Sequence, residues 1–191
     1  MDKLVEIRWH GRGGQGVVTA GELLAETALG RGQYFQAFPD YGPERMGAPI
    51  KAYTRLSGKP IDLHCQIEEP NVVSVLDPTL LGTVPVTEGL AEDGILLVNT
   101  PQSPAEIREM TGFKTGQVFT VDASHIAIEE IGRAVPNTVM VVVLARATGL
   151  FETDDLIEQT RKRFTKLMMK EDIIEANVRA MRRAAKEVQE G

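Results

Sequence analysis

The sequence predicts a single-domain α/β protein, a Rossmann-like three-layer α/β sandwich spanning residues 1–191. Three observations carry this. A strand-length segment runs into the glycine cluster Gly11-Arg12-Gly13-Gly14-Gln15-Gly16, which opens a helical pattern. Later, unbroken apolar runs of strand length alternate with helical stretches, the pattern of a parallel sheet covered on both faces. No internal repeat, low-complexity tract or Gly/Ser linker interrupts the 191 residues, a length that buries about 70% of its unfolded surface on folding and needs no staples.

Element by element, Val5–Trp9 alternates and reads as the first strand. Val17–Leu29 puts Val18, Leu23, Leu24 and Ala28 on one helical face, with Gly30 and Gly32 as stop signals. Tyr34–Phe38 is a short strand, and Pro39-Asp40-Tyr41-Gly42-Pro43 is turn chemistry. Ile50–Leu56 and Ile61–Cys65 read as a hairpin about Ser57-Gly58-Lys59. Val72–Leu76, Ile95–Asn99 and Val118–Asp122 are buried strands, with helices at Ser103–Met110 and Ser124–Val135. Thr138–Thr148 is balanced: its valines favour strand, its length and Ala/Leu end favour helix. Two amphipathic helices close the chain. Thr153 caps the first, and Ile174, Val178, Met181, Ala185 and Val188 line the second.

Composition excludes several classes. Acids exceed bases by six, and the whole excess lies in the first 150 residues, which argues against nucleic-acid or anionic-membrane binding. The single cysteine excludes an internal disulfide, a zinc ribbon and a self-contained iron–sulfur cluster, which takes about four thiolates. The longest apolar run, Val139–Ala145, is far short of a membrane span. Met1-Asp2-Lys3 leads straight into strand-like sequence, so a cytoplasmic protein is expected.

The loop Gly11–Gly16 fits G-x-G-x-x-G, after a strand and before a helix. Its chemistry is anion binding: glycine admits a phosphate close to the backbone, and the helix N-terminus offers unpaired N–H groups. Arg12 adds a planar donor fork. An NAD(P)-binding Rossmann oxidoreductase would also need an acid for the ribose hydroxyls, and Asp40, 24 residues past Gly16, is the candidate. The alternative is a tight architectural turn in a purely structural scaffold.

A second loop, Tyr41-Gly42-Pro43-Glu44-Arg45-Met46-Gly47-Ala48-Pro49, is rigid, presents Glu44 and Arg45, and follows the second strand on the same sheet edge. Together HGRGGQGVVTAGELLA, DYGPERMGAPIKAYTRLS, VNT and NTVMVVVLARATGL resemble the gamma subunit of 2-oxoacid:ferredoxin oxidoreductases over nearly the whole chain, with the pyruvate enzyme nearest and the 2-ketoisovalerate enzyme next. The resemblance implies a chain that works with alpha, beta and delta subunits. The family enzyme decarboxylates a 2-oxoacid such as pyruvate on thiamine diphosphate with Mg2+. It passes electrons through [4Fe-4S] clusters to ferredoxin and transfers the acyl group to coenzyme A. It further implies that this chain holds no cofactor alone, packs beside the thiamine diphosphate site and helps to enclose coenzyme A. The residues it points to are Gly11, Arg12, Gly13, Gly14, Gln15, Gly16, Tyr41, Gly42, Glu44, Arg45 and Asn99. No residue reads as catalytic or as a metal ligand. The resemblance also implies that Asn137–Leu150 is helical.

Other residues read as structural. Cys65 and Met168-Met169 are expected in the core. Ser124 is expected to cap a helix ahead of His125. Asp77 and Asn99 stand at strand ends, where they either face a ligand or cap a turn. Arg161-Lys162-Arg163 with Lys166 and Lys170 reads as a solvated helix face.

Overall fold

The computed structural model describes residues 3–40 and 47–191. In chain order it forms β1 (Val5–Arg12), α1 (Val17–Gly30), β2 (Tyr34–Asp40), β3 (Pro49–Ser57), β4 (Val72–Val75), β5 (Ile95–Asn99), α2 (Pro104–Thr111), β6 (Gln117–Val121), α3 (Ala123–Ile131), α4 (Asn137–Thr148), α5 (Thr153–Lys166), α6 (Glu171–Glu187) and β7 (Gln189–Glu190). The strands make one mixed sheet in the order β2-β3-β1-β4-β5-β6-β7. From β1 to β6 the pairing is parallel, whereas β3 runs antiparallel between β1 and β2, and β7 antiparallel to β6.

Alternation along the strands fixes two faces. Ile7, Trp9, Ala52, Leu56, Val72, Leu97, Phe119 and Val121 point to one side, where they join buried residues of α1, α3, α4, α5 and α6. Val73, Val75, Leu96, Val98 and Val118 point to the other, against Leu80, Val86, Ile107 and Phe113. Helices, sheet, and a second cover of α2 with the 76–90 segment are the three layers predicted. The segment Thr138–Thr148 is helix α4, and Thr138–Ala145 are all buried. A helix that is apolar all round belongs inside, enclosed by other helices, and α4 touches α1, α5, α6 and β5.

Several local expectations are corrected. Ile61–Cys65 is not a strand: β3 already has a neighbour on each side, β1 and β2, so the hairpin had no free edge to use. The segment is held instead by the Gln36 side-chain amide, which donates to the Ile61 and Leu63 carbonyls. Cys65 is therefore exposed. Pro39 and Asp40 continue β2, where an edge strand tolerates a proline. Asp122, not Ser124, accepts from the His125 N–H at the start of α3, and α3 ends at Gly132 in a left-handed conformation. Thr153 is the first residue of α5, and the cap position is Glu152, whose N–H donates to Asp155. Met168 is 90% exposed because it is the left-handed residue that ends α5, at φ 56. The basic cluster is exposed as expected at Lys162, Lys166 and Lys170, while Arg163 bridges Glu22 and Glu26 on α1 and Arg161 bridges Glu175 on α6.

Candidate functional site

The chain leaves β1 over the helical face, through α1, and leaves β4 over the opposite face, through residues 76–90. Two adjacent parallel strands whose connections part in this way leave a crevice beyond their carboxyl ends, where α/β proteins place ligands. The glycine cluster fills the β1 side of that crevice. Gly11 and Arg12 still belong to the strand, and the turn proper is Gly13–Gly16.

Close packing explains the glycines. A Cβ on Gly11 would lie 2.5 Å from Val17 Cγ2. Gly16 takes the left-handed conformation (φ 76, ψ 30) at the N-cap of α1, with no side chain capping the helix, and a Cβ there would run into the Asn137 carboxamide. Gly14, at φ 96, has open space where its Cβ would stand. The loop thus brings bare backbone and the positive end of α1 to the crevice.

On the β4 side stands Asp77, which is buried. Its Oδ1 accepts from the Thr79 N–H (2.9 Å) and hydroxyl (2.6 Å). Its Oδ2 accepts from Gln15 Nε2 at 2.7 Å and pairs with Arg12 Nε at 3.2 Å. Burial pushes this carboxyl up, but the hydrogen bonds from Thr79 and Gln15 and the Arg12 charge outweigh it, and the net shift is downward. Gln15 Oε1 in turn accepts from the Arg12 backbone N–H at 2.7 Å.

The Arg12 fork, expected from the sequence to face a ligand, is engaged within the protein. Besides Asp77, Nη2 donates to the Thr79 hydroxyl and Nη1 to the Gly47 carbonyl, each at 3.0 Å. The Gly13 N–H donates to the Ala48 carbonyl at 3.3 Å. The end of the second loop is thereby fastened to the glycine loop. Tyr41, Gly42, Glu44 and Arg45 lie outside the described residues. Asn99 is buried: Nδ2 donates to the Leu76 carbonyl and Ser124 Oγ, each at 2.8 Å, and Oδ1 accepts from the Ser124 N–H. It ties β4 and β5 to the first turn of α3 from beneath the crevice.

Asp40 is not placed for a dinucleotide ribose. The antiparallel strand β3 separates β2 from β1. Asp40 also shares a sheet face with Tyr53, whose hydroxyl donates to it, opposite the face that carries α1. Gln66 holds its other oxygen at 2.7 Å. Strand order is a long-range property, which local spacing does not report.

His10, just before the loop, is buried with its Nε2 accepting from Arg8 Nε at 3.1 Å. Arg8 also donates to the carbonyls of Glu68, Val86 and Glu88, which ties those loops down. Burial, with the charges of Arg8 and Lys51, pushes the imidazole down to about 3. Unfolded histidine titrates near 6.5, so between these values the unfolded chain binds the extra proton. The contribution of neutral His10 is full above about pH 6.5 and is lost as pH falls towards 3, with a slope of up to about 1.4 kcal/mol per pH unit. Urea unfolding at pH 7 and pH 5 should show a shallower pH dependence in His10→Gln than in the parent. Equal slopes would assign the acid sensitivity to other groups.

The family model for pyruvate ferredoxin/flavodoxin oxidoreductase matches residues 6–187. The pyruvate synthase subunit PorC of Thermotoga maritima is 47% identical over 186 residues, covering 97% of this chain and 95% of that protein. The pyruvate/ketoisovalerate oxidoreductases common subunit gamma of Pyrococcus abyssi is 46% identical, covering 97% and 98%. Among solved structures, the pyruvate oxidoreductase subunit PORC of Thermotoga maritima has a TM-score of 0.87 at 44% identity, covering 100% of this chain and 99% of that one. A 2-oxoglutarate:ferredoxin oxidoreductase of Magnetococcus marinus, solved with 2-oxoglutarate, coenzyme A and succinyl-CoA bound, shares the fold at a TM-score of 0.73 and 22% identity. That match covers 97% of this chain and 32% of the other.

Proposed function

We infer the function of this chain from the premise that it belongs to the pyruvate ferredoxin/flavodoxin oxidoreductase family. It is a gamma-type subunit of an oxidoreductase acting on pyruvate or a related 2-oxoacid. Within that complex its proposed task is to help form the coenzyme A site, beside the thiamine diphosphate held by partner alpha and beta subunits. Its sole cysteine cannot supply the four thiolates of a [4Fe-4S] cluster, so the clusters that lead to ferredoxin are assigned to the beta and delta subunits. Thiamine diphosphate with Mg2+ supplies the decarboxylation chemistry when bound there. No helix among the described residues is long and apolar enough to cross a membrane.

One observation carries this reading: Arg12 and Gly13 join the end of the second loop, at Gly47 and Ala48, to the glycine loop, so the two motifs make one edge. That edge suits a phosphate-bearing ligand. Gly14 leaves room for close approach, and the uncapped N-terminus of α1 favours an anion. Coenzyme A carries both an ADP moiety and a further phosphate. Arg45 on the second loop is proposed to lie within reach of it, with Asn99 bracing the edge from below.

The first test is affinity purification from the native source, which should yield a brown, thiamine-containing complex with further subunits. The second is Arg12→Ala in the reconstituted complex. The KM for coenzyme A should rise about tenfold, the effect of losing a charge-assisted interaction, while the KM for pyruvate stays as it was. An unchanged value with impaired assembly would make the loops structural.

A further inference from the structure

We propose that Asp77 is a positioning residue for coenzyme A: its carboxylate fixes Arg12 as a strut between the glycine loop and the second loop. This rests on the coenzyme A reading above and goes further, because it assigns Arg12 an indirect role and brings in a residue on another strand end.

The geometry separates two uses of an arginine fork. A phosphate-binding arginine presents its donors outward to the ligand. Arg12 instead directs all three side-chain nitrogens at protein acceptors: Nε at Asp77, Nη2 at Thr79 and Nη1 at the Gly47 carbonyl. Asp77 is itself held by the Thr79 N–H and hydroxyl, so its position does not depend on Arg12. The same carboxylate accepts from Gln15, whose carbonyl oxygen holds the Arg12 N–H. One anion thus organises the side chain of Arg12, the turn behind it and, through Gly47, the point where the second loop rejoins β3. Asp77 balances the Arg12 charge and three of its five N–H donors have protein acceptors, so a phosphate is left mainly to the end of α1 and to those loop N–H groups not already bonded within the two loops.

Two residues acting as one device have non-additive effects, whereas independent ligand contacts have effects that multiply. The experiment is a double-mutant cycle in the assembled oxidoreductase with Arg12→Ala, Asp77→Asn and the pair, reading KM for coenzyme A, KM for pyruvate and kcat. Each single variant should raise the KM for coenzyme A about tenfold, leave that for pyruvate unchanged, and the double variant should be no worse than the poorer single. A double variant near a hundredfold would overturn the proposal, since Arg12 would then meet the ligand by itself. Asp77→Asn that lowers the Tm and leaves every KM unchanged would also overturn it, leaving Asp77 as a turn cap. If neither single variant moves the KM for coenzyme A in a fully assembled complex, the coenzyme A reading itself fails, and the proposal with it. Thr79→Val removes the hydroxyl on Nη2 while sparing the carboxylate, and replaces Asp77→Asn in the cycle should that variant not assemble.

Discussion

Val142→Asp should abolish the cooperative thermal unfolding transition of the isolated chain. Val142 is wholly buried in the middle of α4, among Val139, Met140, Val141, Val143 and Leu144, all wholly buried too. Helices α1, α5 and α6 and strand β5 close around this helix. A carboxylate there is set within the apolar cluster that α4 shares with α1, α5 and α6. The cost of an unpaired buried charge exceeds about 4–5 kcal/mol, against a total stability of about 5–15 kcal/mol for a domain. Val142→Ala supplies the contrast. It removes two methyl groups and leaves a small cavity, costs about 2 kcal/mol, and retains a sharp transition at lower temperature. Circular dichroism melts of the three proteins distinguish these outcomes. A cooperative melt for Val142→Asp within a few degrees of the parent would show that α4 is not the centre of the core.

That helix also marks where sequence pattern stops being informative. A run of valines is equally apolar as strand or as helix, and periodicity cannot resolve a segment buried on every side. The parallel strands beginning at Val72, Ile95 and Val118 were legible for the same reason that α4 was not: continuous burial leaves an unbroken apolar run, and their short length selects strand. Ile61–Cys65 shows the opposite failure. Its alternation was real, but a strand needs a partner, and β3 was already paired on both sides, by the preceding strand β2 and by β1 further up the chain. The pairing of Gln189 and Glu190 with β6 had no apolar signal at all. At the candidate site the glycine loop was visible as a motif, while its partner Asp77 lies 62 residues from Gln15 along the chain. Local spacing reports what a turn is able to do; which side chain closes it is decided by the fold.

Gly16→Ala is expected to have the largest effect of any single methyl group added at the proposed edge. Two costs coincide at this position. The residue sits at φ 76, ψ 30, where a Cβ costs about 1–2 kcal/mol through contact with the backbone. The same Cβ would also lie 2.8 Å from Asn137 Cγ and closer still to its amide nitrogen, a collision relieved by turning the Asn137 side chain away from its hydrogen bond with the Thr138 N–H or by shifting the first turn of α4, at about 1–3 kcal/mol. The combined loss of about 2–5 kcal/mol should appear as a lower denaturation midpoint of the isolated chain. In the assembled complex it should appear as a raised KM for coenzyme A, since the N-terminus of α1 is displaced from the crevice. Gly14→Ala separates the two costs: at φ 96 it carries the backbone strain, but its Cβ enters open space, so it should lose about 1–2 kcal/mol only. Asn137→Ala on the Gly16→Ala background should recover the steric share and leave the strain, bringing the double variant level with Gly14→Ala. If Gly16→Ala is instead as stable as the parent, the left-handed N-cap of α1 does not hold in solution, and an anion site built on that helix end goes with it.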